Sequence, residues 1–247
     1  MGTALAGRTA LVTGGSRGIG AAIALALADE GADVAISYAT SREQAEEVVG
    51  ALARRGVRAT AHRADQSDER AVESLVETVA AEFGRLDILV NNAGVSVRGP
   101  VDAGERAAFD RQLAVNLGGV LAAVRTASRV LGEGGRIITV GSTLGSRAGF
   151  TTVAEYAATK AAVAGYSRGA ARDLAPRGIT VNVVEPGAVD TDMNPADGAE
   201  ADVQRTANAM GRYGRPEEIA AGVIFLATPA ASFITGTTLT IDGGYLA

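Results

Sequence analysis

The chain has 247 residues, enough for one large α/β domain, with 47% hydrophobic and 21% charged residues and a formal net charge of −5. It has no cysteine and one histidine, His62. That removes disulfides, thiolate zinc sites and cysteine nucleophiles, and leaves no material for a histidine metal site or a Ser-His-Asp triad.

The acidic balance, the absence of tryptophan and an aromatic content of 4% argue against a nucleic-acid surface. No charged-then-apolar leader opens the chain, and no apolar run approaches about 18 residues. A soluble cytoplasmic protein without a metal is the expectation.

Strand-like and helix-like stretches alternate along the chain. Residues 9–13 read as a short apolar strand, 18–30 as an alanine-rich helix, 34–37 as a strand and 42–54 as a charged amphipathic helix. Residues 57–62 read as a third strand, 68–83 as a helix, 86–90 as a buried strand and 106–131 as one long helix. A strand over 136–140, a helix over 154–175 and a strand over 180–184 follow. Residues 190–214 are polar and irregular, with room for one short helix, and resemble a mobile lid or a variable surface loop. A helix over 217–226 and a strand over 238–241 close the chain. Such alternation predicts a Rossmann-type, doubly wound parallel sheet of about seven strands with helices on both faces. No repeat or linker divides the chain, so residues 1–247 are expected to form a single domain.

The first strand runs into Thr13-Gly14-Gly15-Ser16-Arg17-Gly18-Ile19-Gly20, and a helix follows at once. Glycines let backbone approach a pyrophosphate, and the helix N-terminus offers free N–H groups and a positive dipole end. The strand–loop–helix context points to nucleotide binding. NAD-type sites carry an acid at the end of the second strand to hold the ribose 2′-hydroxyl. Here that strand ends Ile36-Ser37-Tyr38-Ala39-Thr40-Ser41-Arg42, without an acid. Arg17, Ser37 and Thr40 suit a 2′-phosphate instead, which favours NADP(H). Arg42 is either a further phosphate contact or a solvated charge at a helix start.

One position stands apart in composition. Twenty-two of the 23 basic residues are arginine, and the exception is Lys160. An ammonium is a compact charge that can be desolvated and can tune a neighbour's pKa, which a guanidinium does poorly. Tyr156 lies four residues upstream, on the same face of a helix.

Further landmarks fall in order: Asn91-Asn92-Ala93-Gly94 after the fourth strand, Asn116 in the long helix, Ser142 after the fifth strand, and Pro186-Gly187 with Thr191 after the sixth. Together with the glycine loop and the Tyr156/Lys160 pair, the chain resembles the short-chain dehydrogenase/reductase family over essentially its whole length. The resemblance extends to Ile234-Thr235-Gly236 and Ile241-Asp242-Gly243-Gly244 at the C-terminal end.

That resemblance implies hydride exchange between a nicotinamide and a ketone or secondary alcohol. Tyr156 would be the general acid. Lys160 would favour its phenolate and bond the nicotinamide ribose. Ser142 would orient the carbonyl oxygen, and Asn116 would hold a water linking Lys160 to solvent. Gly14, Ser16, Arg17, Gly18, Ile19, Gly20, Ser37, Asp65, Asn92, Ala93, Gly94, Pro186, Gly187, Val189 and Thr191 would contact the cofactor, with Tyr156 and Lys160. Ser142 also suits a turn cap, Asn116 a buried structural amide and Asp65 an acid near a helix start. Glu185, just before Pro186, stands where a small or neutral residue is expected.

The substrate pocket is expected between the loop after Gly94, residues 141–153 and residues 190–214, with Val95, Leu144, Phe150, Val189 and Met193 as lining. Arg147 either meets an anionic substrate or faces solvent. The favoured reading is an NADPH-dependent carbonyl reductase acting on a small molecule. A 3-oxoacyl-[acyl-carrier-protein] reductase is the second, with Arg125, Arg129 and Arg172 as carrier contacts; a nucleotide-binding regulator on the same fold is the third. The resemblance implies a homotetramer.

Overall fold

The computed structural model describes residues 3–247. In chain order the elements are β1 (Thr9–Val12), α1 (Gly18–Asp29), β2 (Asp33–Tyr38), α2 (Arg42–Ala53), β3 (Ala59–Arg63), α3 (Glu69–Phe83) and β4 (Ile88–Asn91). Then follow α4 (Arg106–Leu113), α5 (Gly119–Val130), β5 (Arg136–Val140), α6 (Ala154–Leu174), β6 (Thr180–Pro186), α7 (Ala201–Thr206), α8 (Pro216–Ala227) and β7 (Thr238–Ile241). The seven strands form one sheet in the order β3-β2-β1-β4-β5-β6-β7, and every pairing is parallel.

Each central strand is apolar on both faces, because helices cover both. Ala10, Val12, Ile88, Val90, Ile138 and Val140 pack with α1 and α8. Leu11, Leu89 and Ile137, one residue out of phase, pack with α3, α5 and α6. The strand order reverses between β1 and β4. In open sheets of this kind the crevice for a ligand opens there, beyond the carboxyl ends of the strands.

Three departures from the sequence expectation have physical causes. Asp68 is not helical: it is the cap of α3, its carboxylate accepting from the N–H groups of Arg70 and Ala71. The strand predicted over 180–184 runs on to Pro186, because Glu185 and Pro186 still pair with Thr240 and Ile241 of β7.

The third departure is the stretch predicted as one helix over 106–131. It is broken by a wider π-type turn at Ala114–Gly118 between α4 and α5. Gly119 lies against Gln66, so tightly that a Cβ there would meet the Gln66 carbonyl oxygen at 2.2 Å. A π-type turn inserts one extra residue into the helical repeat, and such turns cluster at functional sites. The pair Gly118-Gly119 was the signal in the sequence. Among the described residues, no helix is long and apolar enough to cross a membrane.

Candidate active site

A cleft of about 910 Å³ runs over the carboxyl ends of the strands, from Thr40 and Ser41 at one end to Tyr213 and Tyr245 at the other. Its floor begins with the glycine loop. Gly14 and Gly18 adopt left-handed backbone with φ of 64° and 55°, a region costly for other residues. The Gly14 N–H donates to the Ser37 hydroxyl at 3.3 Å, and the Gly15 N–H to the Ser37 carbonyl at 2.9 Å. Ser37 therefore fastens the loop to β2 as well as lining the cleft.

Thr13 and Asn92 join this loop to the turn after β4. The Thr13 hydroxyl oxygen accepts from the N–H groups of Asn92 and Ala93 at 3.0 and 3.1 Å. The Asn92 amide donates to the carbonyls of Thr13 and Gly14 at 2.9 and 3.0 Å. Asn92 lines the cleft, but its side-chain amide is committed to holding the glycine loop. Thr13 was not singled out in the sequence, where it is one of many threonines.

At the far end of β2, Ser37, Tyr38, Ala39, Thr40 and Ser41 line the cleft, and Arg17 faces them from the loop. Arg17 is exposed and lies 3.4 Å from Asp192, a pair too open to hold it firmly. Arg42 does not line the cleft. It pairs with Glu46 one turn on, at 2.7 Å, and is the solvated helix-start charge of the two readings left open. Asp65 accepts from the N–H and hydroxyl of Ser67 at 2.9 and 2.7 Å. Those bonds, with Arg111 and Arg63 nearby, hold its carboxyl below the usual range against the effect of burial. It caps a turn and lines the cleft at once.

The other end carries Ser142, Tyr156 and Lys160. Lys160 is 6% exposed; its Nζ donates to the Val140 carbonyl at 3.0 Å and lies 5.7 Å from the Tyr156 ring centre. Burial lowers its pKa to about 8, because a desolvated ammonium loses hydration. Burial likewise pushes the Tyr156 phenol up, while the neighbouring Ser142 hydroxyl and the Arg98 charge pull it down. The sequence expectation was a phenol drawn down by Lys160. In the protein alone, desolvation outweighs the pull of Ser142 and Arg98, and the Tyr156 side chain stays protonated. Ser142 caps the turn Thr143–Gly145, its hydroxyl oxygen accepting from the Leu144 N–H at 3.2 Å.

Asn116 does not line the cleft. It sits one layer beneath, in the π-type turn, 2% exposed. Its Oδ1 accepts from the Val95 N–H and its Nδ2 donates to the Val95 carbonyl, both at 2.9 Å, and to the Thr159 hydroxyl at 3.2 Å. The amide thus fixes the loop after β4 against α6. A Cβ on Gly94 would stand 3.4 Å from Asn116 Oδ1 and 3.6 Å from Lys160 Nζ, so both atoms face the same small space.

Ser16, Ile19, Gly20, Ala93, Gly94, Pro186, Gly187, Val189 and Thr191 line the cleft, as do Val95, Leu144, Phe150 and Met193. Phe150 stacks on Tyr245 with ring centres 5.9 Å apart. Arg147 is not a cleft residue; it donates to the Tyr245 carbonyl at 3.0 Å and lies over that ring. Glu185 also has a place. Its carboxylate accepts the Ser146 hydroxyl at 2.9 Å, and burial pushes its pKa up. It ties the end of β6 to the turn that carries Ser142. Residues Arg98, Glu200 and Tyr213, which also line the cleft, carry no signal in the sequence.

The loop geometry fits a dinucleotide. A Cβ at Gly14 would meet Ala93 at 2.9 Å, and one at Gly20 would meet the Gly14 oxygen at 2.3 Å, so the loop packs as bare backbone at the N-terminus of α1, where an anion is favoured. Among the described residues no cluster of three or more metal-ligating side chains occurs.

Comparison with known proteins agrees with this geometry. The family model described as enoyl-(acyl carrier protein) reductase matches residues 14–246. A cyclic-di-GMP-binding biofilm dispersal mediator protein of Escherichia coli is 43% identical over 242 residues, covering 98% of each chain. A 3-oxoacyl-[acyl-carrier-protein] reductase of Staphylococcus aureus is 41% identical over 240 residues, covering 96% of this chain and 97% of the relative. The crystal structure of a short chain dehydrogenase from Burkholderia cenocepacia in complex with NADP is 53% identical with a TM-score of 0.97, covering 98% of this chain and 99% of that one. By sequence, fold and the arrangement of its cleft, the chain belongs to the short-chain dehydrogenase/reductase family.

Proposed function

We propose that the protein is an NADP-dependent carbonyl reductase acting on a small ketone, with Tyr156 as general acid. The observation that carries this is the meeting of Ser142, Tyr156 and Lys160 at one end of a cleft whose other end has hydroxyls and Arg17 in place of a ribose-binding acid.

Gly14, Ser16, Gly18, Ile19 and Gly20 would cradle the pyrophosphate. Arg17, Ser37 and Thr40 would meet the 2′-phosphate, and Asp65, Ala93 and Gly94 the adenosine side. Pro186, Gly187, Val189 and Thr191 would border the nicotinamide, which supplies the hydride when bound. Ser142 orients the carbonyl oxygen and Tyr156 gives it a proton as charge develops there. Lys160 offsets the charge left on the phenolate, and Asn116 serves the return of a proton through the space it shares with Lys160. Residues 190–214, pinned at Asp190 and Gly214 to each other and to Ala188, act as the lid.

The test is NADPH consumption against a 3-oxo ester, a 3-oxoacyl thioester, an aryl ketone and a 1,2-diketone, with NADH in parallel. Turnover with NADPH and little with NADH is expected; binding of NADPH without turnover of any ketone would sink the reading. A pH profile checks the role of Lys160. Its ammonium is lost as pH rises through about 8, so kcat/KM should fall above that pH. Folding moves the other way. Between about 8 and 10.5 the unfolded chain binds the proton that the folded one has released, so stability from this group rises with pH. Activity falling across about pH 8–9.5 while thermal stability holds is the expected pair of results. A kcat/KM that stays flat to about pH 9.5 would remove Lys160 from the chemistry.

A carrier-bound 3-oxoacyl thioester is the second reading, favoured by the Staphylococcus aureus relative and by the exposure of Arg125, Arg129 and Arg172. The thioester in the panel decides it. The Escherichia coli relative keeps the regulator reading in view. We further propose a cytoplasmic homotetramer. Cβ atoms on Gly165 and Gly169 of α6 would meet almost nothing within the chain, so their smallness suits a neighbouring copy. The open β7 edge, with Phe225 and Phe233 exposed beside it, offers a second contact.

A further inference from the structure

Three groups from distant parts of the sequence meet at the substrate end of the cleft. Arg98 comes from the loop after β4, Glu200 from the start of α7 and Tyr213 from the turn before α8, and all three line the cleft. The Arg98 guanidinium is ion-paired with the Glu200 carboxylate across the opening. Tyr213 is 7% exposed, yet its hydroxyl has no hydrogen-bond partner among the described residues. A buried hydroxyl without an acceptor is costly, and a ligand that supplies one recovers that cost.

The remaining charges of the cleft are accounted for elsewhere. Arg111 lies beside Asp65 and Arg17 beside Asp192. Lys160 is buried against the Val140 carbonyl, and Arg205, over the Tyr213 ring, does not line the cleft. Arg98 is thus the guanidinium that faces the substrate end, and its charge reaches both Tyr156 and Tyr213. Burial, the largest influence on the Tyr213 phenol, keeps it protonated and therefore a donor. The Glu200 carboxylate itself shows what fits: it accepts from one Arg98 amino group, and a planar guanidinium can hold a carboxylate through two parallel bonds. With Glu200 61% and Arg98 34% exposed, the pair is weak and open to exchange.

We propose that Arg98 and Tyr213 form a carboxylate subsite, and that preferred carbonyl substrates carry a carboxylate that displaces Glu200 from Arg98. The carbonyl then lies at Ser142 and Tyr156 and the anion at the lid. This rests on the reductase reading above and adds to it the chemical class of the substrate. It also assigns α7 a task, since Glu200 stands at the start of that helix and its release on substrate binding would couple occupancy to the lid.

The experiment uses a matched pair, 4-acetylbenzoate and its methyl ester, which differ in charge and little in shape. With NADPH the wild-type protein should prefer the acid in kcat/KM. Arg98→Gln should lower the acid-to-ester ratio at least tenfold, chiefly through KM. Tyr213→Phe should lower it several-fold, and Glu200→Gln should raise it. A ratio that none of these substitutions moves, or a wild-type preference for the ester, would overturn the subsite.

Binding keeps the two proposals separable. Dissociation constants for both compounds are read from the fluorescence of NADPH on the cofactor-loaded Tyr156→Phe protein, with and without Arg98→Gln. Charge discrimination in binding without turnover in the wild type would leave the subsite standing and the reductase reading fallen. Turnover of ketones without charge discrimination would do the reverse.

Discussion

Replacing Tyr156 with phenylalanine should leave NADPH binding within about twofold and lower ketone reduction by about 10²–10⁴-fold, the range expected for loss of a positioned general acid. The ring stays and only the hydroxyl goes, so the packing over Lys160, 5.7 Å from the ring centre, is kept. The hydroxyl carries an exchangeable proton beside Ser142 and stays protonated at neutral pH, because burial pushes the phenol up. Lys160 cannot take its place, since its Nζ points to the Val140 carbonyl. Single-turnover kinetics separate the chemical step from cofactor release. Reduction near the wild-type rate would show that the proton comes from elsewhere. In the regulator reading the same variant would keep its signal, so one substitution divides the two classes of function.

Gly20→Ala should weaken NADPH binding at least tenfold, equivalent to about 1.4 kcal/mol, and destabilise the fold by about 1–3 kcal/mol through overpacking. In an open helix the change would gain up to about 1 kcal/mol, since alanine is the better helix former. Here the new methyl would stand 2.3 Å from the Gly14 carbonyl oxygen and 2.4 Å from Asn92 Nδ2. The amide could swing away, but only by giving up its bonds to Thr13 and Gly14; the backbone oxygen can move only with the loop. The clash therefore outweighs the gain in propensity. Gly132→Ala is the control, because a Cβ there meets nothing within 4 Å. Fluorescence titration with NADPH and thermal melts of both variants provide the readout. Equal affinities for the two would mean that the loop does not hold the cofactor.

The residues behind both predictions stand out by local pattern. The glycine loop was legible because the turn from β1 into α1 is made within a few residues, and backbone conformation there depends on which of them lack a side chain. The Tyr156/Lys160 pair was legible because a four-residue spacing lands on one helix face whatever surrounds the helix. The doubly wound sheet followed from the alternation of short strand-like runs with helical stretches along the chain. These features belong to the sequence by itself.

Other features were decided by packing between distant segments. The break in the predicted helix at Ala114–Gly118 comes where Gly119 packs against Gln66, and the orientation of Asn116 rests on two bonds to Val95. Glu185 looked misplaced until the fold brought Ser146 to it. Arg42 and Arg147 looked available for anions until Glu46 and Tyr245 engaged them. Arg98, Glu200 and Tyr213 have no periodicity or spacing in common, and only the return of residues 190–214 over the cleft places them together. Helical and strand periods are set by bonds between near neighbours and so are written locally. Which charge meets which hydroxyl across a cleft is set by where the chain ends up, and that the tertiary structure alone decides.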